Sequence, residues 1–328
     1  MLEYWGGGKD YPSNDPSIHL SSHPKTITPI LHHSIPRSPM KTTRTILDDI
    51  LVDVRNEVAA AKRERPLEEL RRMIADAPPV RRFDEALRSG FGLIAEIKVC
   101  SPSQGPMRPA NVDAAPEAYE RSGIVRAISV LTNASHFGMS MERVRQVKAR
   151  TTKPVLRKDF LFDDYQVYEA RAFGADAVLL MANLLEAEEM RRLYDLTREL
   201  GMEALFECHD RQQIEIVPRN GLIFGINSRT FAVDAGTYAS ARDSRQSGGN
   251  RDLTTDLGRF EMGQFLPPQA IKVAESGVSP ETVSRLREPL GYHAALVGTS
   301  LLLSPRGIVH ELERFEQALQ NAADISSQ

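Results

Sequence analysis

Leu93-Ile94-Ala95-Glu96-Ile97-Lys98, running directly into Val99-Cys100-Ser101-Pro102-Ser103-Gln104-Gly105, is the stretch on which the reading of this chain turns. Its first six residues form a short apolar run that carries a glutamate and a lysine two positions apart. Side chains alternate across a strand, so Glu96 and Lys98 share one face. A charge buried without a partner is costly. The pair therefore faces either itself, as a structural ion pair at a strand end, or a ligand. The Ser-Pro-Ser-x-Gly turn immediately behind it weakens the first reading.

The run is the first of a series. Apolar, β-branched strand candidates recur at 93–97, 127–131, 154–156, 177–181, 204–207, 222–226, 271–274 and 294–297. Amphipathic stretches lie among them at 113–122, 141–148, 164–173, 185–200, 211–217, 280–287 and 305–318. Eight strands alternating with helices over about 225 residues match a (β/α)8 TIM barrel better than a doubly wound sheet. Strands that read as continuous apolar runs fit a parallel sheet covered on both faces. No G-x-G-x-x-G follows the first strand, which weakens a dinucleotide-binding alternative.

Upstream, Ile46, Ile50, Leu51, Val54 and Val58 fall at helical spacing, with Thr45 as N-cap and Asp48 three residues on. A second helix is expected over 67–74, with Pro66 in its first turn and Pro78-Pro79 beyond its end. These two helices precede the strands and should flank the barrel. Residues 1–43 hold Gly6 to Gly8, many Ser, Thr, Pro and His residues and no apolar period, so they are expected to be disordered, with 44–328 forming one barrel domain. His19, His23, His32 and His33 lack the accompanying cysteines or carboxylates of a metal site, and none is expected. Met40, just before the first helical pattern, reads as the native start. The polar run 243–252 reads as an exposed insertion in the sixth helical unit, with an active-site lid as the weaker alternative.

Composition narrows the class. The chain has 328 residues, 41% of them hydrophobic and 26% charged, as in a soluble globular protein. A net charge of −3 gives no reason to expect nucleic acid or an anionic membrane as partner. Cys100 and Cys208 are the only cysteines and form no C-x-x-C, which argues for a reducing, cytoplasmic setting and against a disulfide framework or zinc ribbon. No apolar run approaches the ~18 residues of a membrane span, and the start lacks the pattern of a secretory signal.

Active sites of such barrels lie at the C-terminal ends of the strands. There the first strand places Glu96 and Lys98, the third Lys158 and Asp159, the fifth Glu207, the sixth Asn227 and Arg229, and the seventh Glu275 with Ser276 and Gly277. Each alone is an ordinary strand-end ion pair or cap. Together in one mouth they require a polar ligand to organise them. Ser276-Gly277 after the seventh strand and Gly298-Thr299-Ser300 after the eighth are small residues that let backbone N–H groups approach an anion, where barrels commonly hold phosphate.

In order and spacing these residues resemble the indole-3-glycerol phosphate synthase family. The likeness runs from about Ile46 to Leu319 and rests on Ile94-Ala95-Glu96-Ile97-Lys98 with Ser101-Pro102-Ser103, Ser129-Val130-Leu131-Thr132, Leu156-Arg157-Lys158-Asp159-Phe160, Gly225-Ile226-Asn227-Ser228-Arg229, Ala274-Glu275-Ser276-Gly277 and Val297-Gly298-Thr299-Ser300-Leu301. The resemblance implies an enzyme that closes the indole ring of 1-(2-carboxyphenylamino)-1-deoxyribulose 5-phosphate with loss of CO2 and water, using no metal or organic cofactor. It implies that Lys158 is the general acid and that Lys98 and Glu96 serve the substrate carboxylate and the dehydration. Glu207 would stabilise positive charge on the anilino side, Asn227 would bind hydroxyls, and Glu275 would support the lysines. Ser276, Gly277, Gly298 and Thr299 would hold phosphate, with Arg229 and Ser101 nearby, and Phe137 would enclose the anthranilate ring.

The partner implied is a small phosphorylated molecule, bound by a monomer that makes at most transient contact with other tryptophan-pathway enzymes. Two departures bear on the aromatic pocket. Asn133-Ala134-Ser135-His136 precedes Phe137 where the family more often has an acidic residue and then a lysine or second aromatic, and Val99 and Gln104 stand where basic residues are common. The alternatives are a silent phosphometabolite-binding barrel, or a related enzyme such as phosphoribosylanthranilate isomerase, which would favour a Cys/Asp acid-base pair.

Overall fold

The apolar runs close on one another in the computed structural model, which describes residues 46–102, 104–229 and 255–325. The disorder expected over 1–43, the Thr45 cap and the 243–252 insertion lie outside the described residues. The strands are β1 (Gly92–Ile97), a small hairpin of β2 (Cys100–Ser101) and β3 (Gly105–Pro106), then β4 (Val125–Leu131), β5 (Val155–Lys158), β6 (Ala177–Met181), β7 (Glu203–Cys208), β8 (Ile223–Asn227), β9 (Ile271–Glu275) and β10 (Ala294–Val297). All but the hairpin join in one closed, parallel, eight-stranded barrel, with β1 bonded to β4 on one side and β10 on the other. β1, β6, β7, β8 and β10 are buried along their whole length, because the barrel core covers one face and helices the other.

Three helices, one more than expected, precede the barrel: α1 (Ile46–Glu64), α2 (Leu67–Ala75) and α3 (Phe83–Arg88). The third spans under two turns, too few to show a period, yet it buries Phe83 and Leu87. Pro66 is the N-cap of α2 and so stands just outside its first turn. The connecting helices are α4 (Pro109–Arg121), α5 (Ala134–Phe137), α6 (Met141–Arg150), α7 (Asp164–Ala172), α8 (Ala187–Glu199), α9 (Arg211–Ile216), α10 (Pro280–Arg287), α11 (Thr299–Leu303) and α12 (Ile308–Ile325). α4 begins four residues ahead of the expected start because Pro109 occupies its first turn, where a fixed φ favours the helix. In the sixth unit a 3-10 helix covers Leu257–Phe265. No described helix is long and apolar enough to cross a membrane.

β5 runs through Lys158, where the expected strand stopped at 156, and this extension matters for the site. Alternation then turns Arg157 toward the helices, where it donates to the Gln166 carbonyl at 2.6 Å and pairs with Glu169 at 3.0 Å, and turns Lys158 into the barrel. At the opposite end of the barrel the buried pair Lys148–Asp176 (2.5 Å) is completed by the backbone N–H groups of Val155 and Arg81, which both donate to Asp176. A buried ion pair with its remaining lone pairs satisfied marks the structural face of the fold.

Candidate active site

At the C-terminal ends of the barrel strands lies a cavity of about 380 Å³, and every catalytic or substrate-binding candidate taken from the sequence lines it. The first strand and its loop supply Glu96, Lys98 and Ser101. Phe137 enters from α5, and Lys158 from β5. The far side carries Glu207, Asn227, Arg229 and Glu275, with Ser276, Gly277, Gly298 and Thr299 along one wall.

Glu207 and Glu275 are each only 1% exposed. They stand on β7 and β9, and between them Gly225 of β8 is in register with Glu207. A Cβ on Gly225 would overlap the Glu275 carboxyl, so the glycine leaves the space through which the two carboxyls approach. No described donor makes a well-formed hydrogen bond to either carboxyl, and each shifts the titration of the other. Burial and then the Glu207 charge push Glu275 well above the usual carboxylate range. Burial also raises Glu207, but Lys158, His209, the nearby Asn227 amide and the Glu275 acid outweigh it and hold Glu207 below its ordinary value. Lys158 Nζ lies 3.7 Å from Glu207 and His209 Nε2 lies 3.6 Å away on the other side. Burial lowers the Lys158 ammonium, yet Glu207, Glu96 and Glu275 together raise it above its ordinary value.

At the end of β1, Lys98 donates to Glu96 at 2.5 Å. The two are each other's closest partners, so the ion-pair reading of that stretch is correct as geometry, even though both side chains line the cavity. Burial raises Glu96, but Lys98, Lys158 and Arg229 more than reverse this and lower it. Gly298 permits the arrangement, since a Cβ there would overlap the Glu96 carboxylate.

The wall beside β9 is strained. Ser276 has φ +68° and Gly277 φ +70°, and a serine in the left-handed region is uncommon. Ser228 holds this turn in place. Fully buried after β8, it donates from Oγ to the Ser276 carbonyl at 2.9 Å and from its backbone N–H to the Glu275 carbonyl at 2.9 Å. Arg229 N–H donates to Asn227 Oδ1 at 2.9 Å, which fixes the Asn227 side chain at the rim.

The remaining walls are apolar. Phe137 stacks on Phe160 with centroids 6.4 Å apart, and Ile50, Leu131, Leu179 and Met181 complete the enclosure. Sequence reasoning assigned none of these four to the site. Leu179 and Met181 are two apart on one strand, so alternation places both on one face; Ile50, from a helix outside the barrel, gave no such signal. Asp159 reaches the cavity, but it accepts hydrogen bonds from Arg157 (3.1 Å), Thr132 Oγ1 (2.6 Å) and the Phe160 N–H (2.9 Å). It braces the β5 end, leaving Lys158 as the group that strand offers to a ligand.

A family model described as indole-3-glycerol phosphate synthase matches residues 47–244. Proteins of that name from three bacteria are similar over most of their length. The one from Chlorobium luteolum is 37% identical over 275 residues, covering 79% of this chain and 94% of that protein. The one from a Nocardioides species is 37% identical over 281 residues, covering 83% and 99%, and that from Bacteroides thetaiotaomicron is 34% identical over 283 residues, covering 84% and 100%.

Proposed function

This chain belongs to the indole-3-glycerol phosphate synthase family, and from that premise we propose how its cavity closes an indole ring. The enzyme converts 1-(2-carboxyphenylamino)-1-deoxyribulose 5-phosphate to indole-3-glycerol phosphate in tryptophan biosynthesis. A carbon of the aromatic ring bonds to the sugar carbonyl carbon, the ring carboxylate leaves as CO2, and water follows. The observation that carries the assignment of roles is the charge pattern. Two lysines and the buried carboxyls of Glu96, Glu207 and Glu275 share one cavity with a strained, small-residue wall suited to an anion.

Lys158 is the general acid. Its ammonium is raised by Glu207 above all and then by Glu96, stays charged near neutrality, and lies where it can hand a proton to the carbonyl oxygen as the carbon–carbon bond forms. Glu207, held ionised beside it, stabilises the positive charge that develops on the anilino nitrogen. Lys98 pairs with the substrate carboxylate until it departs, and with Glu96 serves the proton transfers of dehydration. Asn227 holds sugar hydroxyls, and Glu275, as a neutral acid, donates to Glu207 and keeps it in place. Ser276, Gly277, Gly298 and Thr299 take the phosphate, with Arg229 and Ser101 adding donors. Phe137 covers the anthranilate ring.

The isomerase alternative lacks its acid-base cysteine. Cys100 Sγ is turned away from the cavity, toward the His136 carbonyl at 3.4 Å. We read residues 44–328 as one catalytic domain acting as a monomer in the cytoplasm. A single chain supplying all these groups, and cysteines without a disulfide, support that reading. The decisive assay mixes purified protein with the carboxyphenylamino-deoxyribulose phosphate and follows indole fluorescence. Folded protein that yields no indole signal would overturn the assignment.

The phosphate wall has its own test. Ser228→Ala removes the hydrogen bond that holds the strained Ser276 carbonyl, a loss of about 1 kcal/mol. KM will rise about fivefold while kcat stays within about twofold, because phosphate binding contributes equally to ground and transition states. A fall in kcat at unchanged KM in steady-state kinetics would contradict this.

A further inference from the structure

We propose that Glu57 of the N-terminal helix α1, assisted by Asp53 one turn before it, is a positioning residue that holds Phe137 over the aromatic half of the substrate. The proposal rests on the ring-closing reading above, and specifically on Phe137 as the cover of the anthranilate ring. Ile50, Asp53 and Glu57 lie at i, i+3 and i+7, one face of α1, and Ile50 already lines the cavity. That face meets the short helix α5.

α5 has only four residues and cannot hold its shape by itself, since so short a helix satisfies almost none of its own backbone groups. External groups satisfy them. Glu57 Oε1 accepts from the Ser135 backbone N–H at 3.0 Å and from Ser135 Oγ at 2.5 Å, and Glu57 Oε2 accepts from Asn133 Nδ2 at 2.8 Å. Asn133, held by its amide nitrogen, uses its Oδ1 to accept from the His136 N–H at 2.8 Å, which caps α5. His136, whose side chain is almost wholly buried, meets Asp53 Oδ2 at 3.1 Å. On the opposite side the Phe137 carbonyl accepts from the Val99 N–H at 3.2 Å. Phe137 is thus suspended between α1 and the segment after β1, with its ring against Phe160.

A single carboxylate therefore takes three of the donors in the four residues before Phe137. It reaches them across more than seventy residues of sequence, from an element outside the barrel. The consequence is specific: losing Glu57 should loosen the grip on the ring and leave the phosphate wall, built on β8, β9 and β10, untouched.

The test compares two ligands on the full chain. One is inorganic phosphate. The other is a substrate analogue whose sugar carbonyl is reduced to an alcohol, so that it keeps the ring and the phosphate but cannot cyclise. Glu57→Ala will raise KM and weaken the ring-bearing analogue about tenfold, the size of one charged hydrogen bond, with phosphate affinity within about twofold of wild type. Ser135→Ala, a milder change, will weaken the analogue about threefold, and the two substitutions together will cost less than the product of their separate effects. Unchanged affinity for the analogue, an equal loss of phosphate affinity, or independent effects of the two substitutions would each overturn the proposal. Wild-type turnover is measured first. Its absence would count against the ring-closing reading, whereas an active wild type with an unaffected Glu57→Ala variant would count against the clamp alone.

Discussion

Lys158→Ala will lower kcat about a thousandfold, within the ~10²–10⁴ range that a positioned general acid supplies, with KM changed only severalfold and the circular dichroism spectrum retained. The ammonium is 3.7 Å from Glu207, an attraction of about 4 kcal/mol at an effective dielectric constant of about 20. It is also raised by Glu96 and Glu275. Its removal takes away both the proton and the charge that organises the carboxyls around it. Lys158→Arg separates these two functions. A guanidinium keeps the charge but does not give up a proton at accessible pH, so this variant will regain the carboxylate geometry and remain within about tenfold of the alanine variant in rate. Because the ammonium is raised, the alkaline limb that it contributes to the wild-type rate lies above the ordinary lysine value of 10.5. Rapid-quench or steady-state kinetics that found Lys158→Ala within tenfold of wild type would remove Lys158 from the role of acid.

The barrel was legible because parallel strands buried on both faces write themselves as continuous apolar runs, and the polar residues that end those runs are too costly to bury without a purpose. Glu96, Lys98, Lys158, Glu207, Asn227 and Glu275 are therefore expected at one mouth from their position at strand ends, and all six line the cavity. Features that depend on three-dimensional approach were not legible. Gly225 reads as an ordinary strand glycine until Glu275 is seen occupying the space of its missing side chain. Asp159 reads as one more strand-end carboxylate until Arg157 and Thr132 claim it. The hairpin of Cys100–Ser101 with Gly105–Pro106 is too short to carry a period, and α3 likewise. Glu57 lay in a helix whose apolar stripe was correctly read, but nothing in that stripe says which loop its polar edge will meet.

Glu207→Gln and Glu275→Gln will separate two carboxyls that stand alike at the ends of their strands. Glu207→Gln will lower kcat about 10²–10³-fold, the cost typical of losing one preorganised electrostatic partner of the transition state. Glu275→Gln will lower it less than about tenfold, because burial and the Glu207 charge keep Glu275 protonated, and an amide N–H replaces the acid O–H as donor. Stability supplies an independent reading of the same proton. The Glu275 carboxyl is raised above its ordinary value of 4.5, so the native state retains a proton that the unfolded chain releases. Its contribution to stability is full below about pH 4.5 and declines as pH rises toward the native value. Glutamine has no proton to lose. The Tm of Glu275→Gln relative to wild type will therefore climb as pH rises above about 4.5, and the two will converge at the acid end. Glu207 runs the other way: its lowered carboxyl adds stability above its unfolded value, and that is lost as pH falls through the native one. Were Glu275 ionised in the native state, both signs would change together. Its glutamine variant would lose as much rate as that of Glu207, and the Tm difference would show no rise with pH.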